Sequence, residues 1–259
     1  FRSMSLTASE QRRPAGDEVV EVVSGDVLVF AQAGDGPRCP LLTLTPGQWA
    51  LGADLPPGLS VFLTGLPGTH VRVLSWDEAH NARGDALMTE WLYLLANAGR
   101  GERWADRVIA PADGPLRCAP GENVAFSVDG MPLADRSIQG WLRVEAGTAR
   151  WCAVAEGEIA AGDAPVPFTR GVWLTSGLRC QFVACDAPAS PQEWRASIDV
   201  VTRCVAAAAV DRLRSDNEYR VSRLAGAEER RLTEMQDSVD LLDRKSTRLN
   251  SSHVKRSRM

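Results

Sequence analysis

Apolar and polar positions alternate through most of the first 75 residues, and then the period changes. Residues 19–32 alternate as two strands turning at Ser24-Gly25-Asp26. Residues 41–45 predict a short strand that ends at Pro46-Gly47. Residues 61–64 and 71–74 predict two more around Pro67-Gly68, with loops at 33–37 and 53–60. Short strands at this density predict a small barrel or jelly roll. From Asp77 the period becomes helical: Leu87, Trp91, Leu94 and Leu95 fall at i, i+4, i+7 and i+8. Asp85 is a suitable cap, and Gly99 is expected to end the helix in the left-handed conformation. The first module with its closing helix thus covers 18–99, preceded by a polar, disordered 1–17 and followed by a linker, 100–118.

Alternation returns in 119–189. Strands are predicted at 124–128, 138–144, 148–154, 172–174 and 179–185, with turns at Asp129-Gly130, Glu156-Gly157 and Gly162-Asp163. Residues 190–243 are predicted as amphipathic helices. Ser190 can cap, Pro191 suits the first helical position, and Glu193 completes a capping box. Trp194, Ile198, Val201, Val205 and Ala208 make one apolar stripe. Leu224, Leu232, Met235, Val239 and Leu242 make another on a highly charged helix, spaced for a partner helix and so admitting a homodimer through the C-terminal helices.

The two β-modules read as copies. Val23-Ser24-Gly25-Asp26-Val27-Leu28-Val29-Phe30 matches Val144-Glu145-Ala146-Gly147-Thr148-Ala149-Arg150-Trp151. Further on, Thr45-Pro46-Gly47-Gln48-Trp49 matches Thr169-Arg170-Gly171-Val172-Trp173. The glycines stand 22 positions apart in one copy and 24 in the other. The fold class expected is mainly β with α: two hairpin-rich, jelly-roll-like β-modules joined by a helix and followed by long C-terminal helices.

Charge changes the reading of the last residues. Every basic residue before position 244 is arginine, whereas 244–259 holds both lysines, six basic residues and no acid; without it the net charge falls from −4 to −10. Lys245-Ser246-Thr247-Arg248-Leu249-Asn250-Ser251-Ser252-His253 reads as adapter-derived and non-native, and is set apart from the fold. A body this acidic excludes a nucleic-acid footprint. No apolar run reaches the length of a membrane span, and no secretory leader stands at the start. The six cysteines, Cys39, Cys118, Cys152, Cys180, Cys185 and Cys204, contain no Cys-x-x-Cys. They read as reduced, buried thiols in a cytoplasmic setting.

The chain contains no phosphate loop with its lysine, no Gly-x-Ser-x-Gly and no His-x-x-x-His. His70, His80 and His253 are too scattered for the metal cluster a cupin enzyme needs. Gly65-Leu66-Pro67-Gly68 lies between strands without the helix that would aim amides at an anion. Trp49, Trp141, Trp151 and Trp173 read as core filling before pocket lining. Asp26, Asp35 and Asp54 are turn residues, and Glu228-Glu229-Arg230-Arg231 is a solvated helix face. No catalytic, cofactor or metal residue is assigned.

In these motifs the modules resemble the cyclic-nucleotide-binding β-roll. The whole order, with Gly140-Trp141-Leu142-Arg143-Val144 and Gly171-Val172-Trp173-Leu174, resembles over 18–243 the N-terminal region of the permease/ATPase subunit of NHLP-type bacteriocin export ABC transporters. That resemblance implies a cytoplasmic accessory fragment of a peptide exporter, on the cytoplasmic side of the inner membrane. Its partners would be the remaining transporter domains, a partner subunit or the exported peptide. ATP and Mg would serve only an ATPase domain that follows in the full-length family. The nucleotide motif itself departs. A binding roll continues its aromatic with Gly-Glu and an arginine for the phosphate, whereas here Trp49-Ala50-Leu51-Gly52-Ala53-Asp54 is followed by no arginine until Arg72. The alternative reading is a degenerate cyclic-nucleotide-type sensor or regulatory domain, though without the helix-turn-helix of a DNA-binding regulator.

Overall fold

The polar residues at the start of the chain form an edge strand. In the computed structural model, which describes residues 2–7, 10–99, 107–109, 115–126, 138, 140–152, 154, 157–169 and 172–256, β1 (Arg2–Ser5) pairs antiparallel with a later strand, and Arg12 bridges Leu63. The expectation of disorder in 1–17 is therefore corrected for its described residues, 2–7 and 10–17. An edge strand is held by backbone bonds and needs little apolar patterning. Just past its end Leu6 is fully buried.

Gly25 does not close a hairpin. Strands β2 (Glu18–Ser24) and β3 (Val27–Ala33) diverge there into different sheets. With β4 (Cys39–Leu44), β5 (Trp49–Leu51), β6 (Leu59–Gly65) and β7 (His70–Ser75), the sheets run β1-β7-β2-β5 and β4-β3-β6. Val20, Val22, Val27 and Val29 from both sheets join one buried cluster. Two corners, 24–26 and 66–69, hold this roll together: Leu66 N–H donates to Asp26 O at 2.9 Å, and Thr69 Oγ1 donates to the same oxygen at 2.8 Å.

The helix expected over 77–98 is two. α1 (Trp76–Arg83) starts on a capping box of Ser75 and Glu78, and α2 (Asp85–Ala98) starts after Gly84, so Asp85 is the first helical residue rather than the cap. Gly99 ends α2 at φ −87°, not left-handed. Close packing selects glycine here: a Cβ would stand 2.8 Å from Val205 Cγ2 and 3.2 Å from Trp151 Nε1.

The stretch read as a linker, 100–118, carries β8 (Arg107–Ile109) and β9 (Leu116–Arg117), both too short for a periodic signal. They join β10 (Asn123–Phe126), β11 (Gly140–Ala146), β12 (Thr148–Trp151), β13 (Glu158–Ala160), β14 (Val166–Phe168), β15 (Trp173–Ser176) and β16 (Gln181–Cys185). The sheets run β9-β16-β11-β14 and β13-β12-β15-β10-β8. The first has the strand order of the four-stranded sheet in the first roll. The second has that of the three-stranded sheet with β10 and β8 added.

The repeat is thus real and more detailed than the motif suggested. Gly25 (φ 73°) and Gly147 (φ 72°) occupy the same corner. Each follows a register shift in its strand, at Val22/Ser24 and Val144/Ala146. Gly177 N–H donates to Thr148 O at 2.7 Å, as Leu66 does to Asp26 O. The second half of the match is wrong, however. Gly47 corresponds to Gly162, because Thr45 N–H donates to Gln48 Oε1 at 2.8 Å and Ala160 N–H to Asp163 Oδ2 at 2.9 Å across the same turn. Trp49 opens β5, whereas Trp173 opens β15, the counterpart of β6. The turns read at Asp129-Gly130 and at Glu156, like Gly171, lie outside the described residues.

A single helix, α3 (Pro191–Arg256), replaces the helices expected from 190. Ser190 Oγ accepts from Glu193 N–H at 3.2 Å, while the Glu193 carboxylate reaches Ala189 N–H at 2.8 Å instead of Ser190. Residues Phe1–Arg212 form one compact unit and Leu213–Met259 another. Within the first, Trp194, Ile198, Val201, Val205 and Ala208 are buried as their spacing predicts, and α2 packs on β4, β5 and β14, touching both rolls.

Candidate functional site

In the first roll, the loop between β5 and β6, residues 52–58, stands where the nucleotide motif of the resemblance would have its Gly-Glu and arginine. It is short, non-helical and tied down. Gly52 N–H donates to Glu18 O at 2.8 Å, and a Cβ on Gly52 would overlap the Ala15 carbonyl, which lies directly against it. Asp54 N–H donates to Asp199 Oδ1 of α3 at 2.8 Å, and Asp54 Oδ2 lies 3.7 Å from Arg195. The amides that could have cradled an anion at Gly52 and Asp54 are thus already bonded.

Beneath the loop lies a cavity of about 10 Å³, lined by Leu51, Leu55, Val61, Leu63, Trp91 and Thr202 among others. That volume holds about one water molecule. The interior is filled by the chain's own apolar side chains.

Two arginines reach this loop from elsewhere, which counting forward from Trp49 misses. Arg13 Nη2 donates to Leu59 O at 3.3 Å, and Arg195 comes from α3. Nothing in the local sequence places either. Arg72, the next arginine in sequence, lies on β7 and is ion-paired with Glu21. The local field includes two carboxylates, Asp54 and Asp199. Burial pushes the Asp199 carboxyl above the ordinary carboxylate range, and the Asp54 charge adds to this; the Asp54 N–H bond, Arg195 and Arg203 oppose it. A raised folded-state pKa means ionised Asp199 costs stability, fully so above that pKa, and that cost vanishes below the unfolded pKa. Asp199→Asn, which keeps an acceptor for Asp54, is therefore expected to stabilise the chain at about pH 7 and to have little effect at about pH 3. Urea unfolding at both pH values checks this; a variant less stable at the higher pH would mean that the arginines outweigh burial.

In the second roll the corresponding connection is shorter. Only residues 169–172 separate β14 from β15, and Thr169 is buried, its carbonyl accepting from Val172 N–H at 3.2 Å. α3 is fastened to this roll as well: Arg203 Nη2 donates to Glu158 O at 2.8 Å and to Asp163 Oδ2 at 3.3 Å.

Trp49, Trp141, Trp151 and Trp173 are all buried, and none of these four lines the 10 Å³ cavity. Trp141 packs edge-on against Trp194 at 5.3 Å, Trp151 Nε1 donates to Gly99 O at 3.3 Å, and Arg83 lies 5.8 Å over Trp49. Gly65 and Gly68 form a corner whose Leu66 and Thr69 amides are bonded to Asp26 O and Leu66 O. His70 Nδ1 bonds Ser5 Oγ at 3.2 Å, and the His80 carbonyl accepts from Gly84 N–H. Cys204 and Cys180 are pushed up to about 12 and about 11 by burial, which keeps these thiols inert as nucleophiles.

Comparison with family models finds no match, and comparison with curated proteins finds none. Among solved structures the chain is similar to FixK2 from Bradyrhizobium japonicum, at 20% identity over 38% of this chain and 51% of that one, TM-score 0.28. The chain thus spans about half the length of FixK2. It is also similar to the regulatory subunit of a cAMP-independent protein kinase A from Trypanosoma brucei, at 11% identity over 86% and 82%, TM-score 0.24. A third is the regulatory domain of Toxoplasma gondii PKA with cAMP, at 11% identity over 84% and 85%, TM-score 0.22. The strand order and paired corners, not these scores, carry the reading of the fold as twin rolls. The exporter resemblance finds no counterpart among family models, curated proteins or these structures. No helix among the described residues is long and apolar enough to cross a membrane.

Proposed function

We propose that this chain is a degenerate, cyclic-nucleotide-type regulatory module: paired β-rolls, the first with its interior filled by its own side chains, that act by protein contact. One observation carries the reading. The cavity under the 52–58 loop measures about 10 Å³, whereas sites for small molecules run to roughly 300–1,000 Å³. The Asp54–Asp199 bond supports it, since it occupies the loop amide and adds negative charge where a phosphate would need positive. Such a module has no catalytic step, metal or cofactor of its own, and belongs in the cytoplasm.

Isothermal titration of the full chain with cyclic AMP and with cyclic GMP tests this. No saturable heat tighter than about 10 μM is expected, because a buried phosphate without amides and a dedicated arginine forgoes a charge-assisted contact of ~1.5–3 kcal/mol. Saturable binding below that value would overturn the reading and make the chain a sensor.

A further inference from the structure

In the helical unit Leu213–Met259, Tyr219, Val221, Leu224, Leu232, Met235 and Val239 are 51–70% exposed. Val221, Leu224, Leu232, Met235 and Val239 follow the three- and four-residue spacing of one seam, with a gap at the charged block 228–231. A helix with such a seam is stabilised by a partner rather than by its own turns.

Charge says which partner. Between 213 and 223 stand Arg214, Arg220 and Arg223 against Asp216 and Glu218; between 232 and 243 stand Glu234, Asp237, Asp240 and Asp243 with no basic residue. One half is basic and the other acidic. Two copies in parallel would set Arg220 and Arg223 beside their own counterparts and the four acids beside theirs, whereas two antiparallel copies set Arg220 and Arg223 on the acidic stretch twice, which outweighs Asp216 facing Asp243.

We propose that two copies of this chain associate antiparallel through residues 213–243. Centred between Glu229 and Arg230, helical counting sets Glu228-Glu229 against Arg230-Arg231 of the second copy. The same register brings Val221 beside Val239, Leu224 beside Met235, and Arg220 and Arg223 along Asp240 and Asp237. This deepens the contact-based function by naming a second copy as a partner. The two tests fail separately: a monomer leaves the nucleotide titration standing, and nucleotide binding leaves the association standing.

Sedimentation equilibrium of the full chain, over about 1–100 μM, is the experiment. A monomer–dimer equilibrium is expected, weakening as salt rises. Leu232→Glu with Met235→Glu is expected to abolish it, with helix content checked by circular dichroism. Arg220→Gln with Arg223→Gln discriminates the orientations. It should weaken an antiparallel dimer by about tenfold or more, since each arginine acts twice in the symmetric pair. It would tighten a parallel one by relieving repulsion. A monomer throughout, a dimer that survives the Leu232/Met235 change, or tightening by salt or by the arginine changes would each overturn the proposal.

Discussion

Trp151→Ala is expected to lower the stability of the chain by about 3–5 kcal/mol, the usual cost of emptying a large aromatic site. For a chain of this size that is roughly 6–20 °C in Tm. Trp151 is wholly buried at the end of β12, and its indole N–H donates to the carbonyl that ends α2. The same carbonyl receives Cys152 Sγ at 3.5 Å, and Gly99 itself presses on Val205 of α3. This side chain therefore joins the second roll to the helix that closes the first, at the glycine that packs on α3. Removing it leaves a cavity and takes away the stronger donor to a buried carbonyl. Trp151→Phe keeps most of the apolar volume and loses the bond, so a smaller loss, about 1–2 kcal/mol, is expected. Denaturant melts of both variants provide the check; an alanine variant within about 1 kcal/mol of the parent would mean that the two rolls are not coupled through this residue.

Gly147→Ala is the second large effect. The corner requires φ 72°, where a side chain costs roughly 1–2 kcal/mol. A Cβ would also stand 2.5 Å from Leu178 O and 2.9 Å from both the carbonyl carbon and oxygen of Arg179. Both obstacles are backbone and cannot rotate away, so overpacking adds roughly 1–3 kcal/mol. The sum expected is about 2–5 kcal/mol. Gly25→Ala, at the equivalent corner against Thr69, should behave alike. Gly68→Ala is the control: its φ is 83° but its Cβ would point into open space, so only the conformational cost of about 1–2 kcal/mol applies. If Gly147→Ala cost no more than Gly68→Ala, the corner-on-corner contact would not be what holds each roll shut.

Much of the architecture was legible. Alternation placed β2, β3, β6, β7, β11 and β16, and the stripe from Trp194 to Ala208 placed the buried face of α3. Strands of two or three residues, such as β8, β9 and β14, offer no period to read. The candidate site was legible only in its losses. Trp49 to Asp54 lacks the phosphate-binding residues, but Arg13, Arg195 and Asp199 reach the loop from distant parts of the chain, and forward spacing is silent about them. The alignment of Gly47 with Gly171 failed because a short glycine-aromatic pattern recurs wherever a turn enters a buried strand. Only the hydrogen bonds of the turn identify Gly162 as the counterpart.

By itself the sequence determined much of the local geometry: where the longer strands run, where helix replaces strand, which faces are apolar, and that Gly25 and Gly147 mark equivalent positions. It could do so because period, caps and turn chemistry act over a few residues. Tertiary structure decided that those glycines are corners between sheets rather than hairpin turns, that the polar start of the chain is an edge strand, and that the first roll is filled. Each of these depends on which distant backbone groups find one another, and on the volume left once Trp91, Leu63 and Thr202 converge under the loop. A pairing across sixty or more residues leaves no mark in the spacing of either partner.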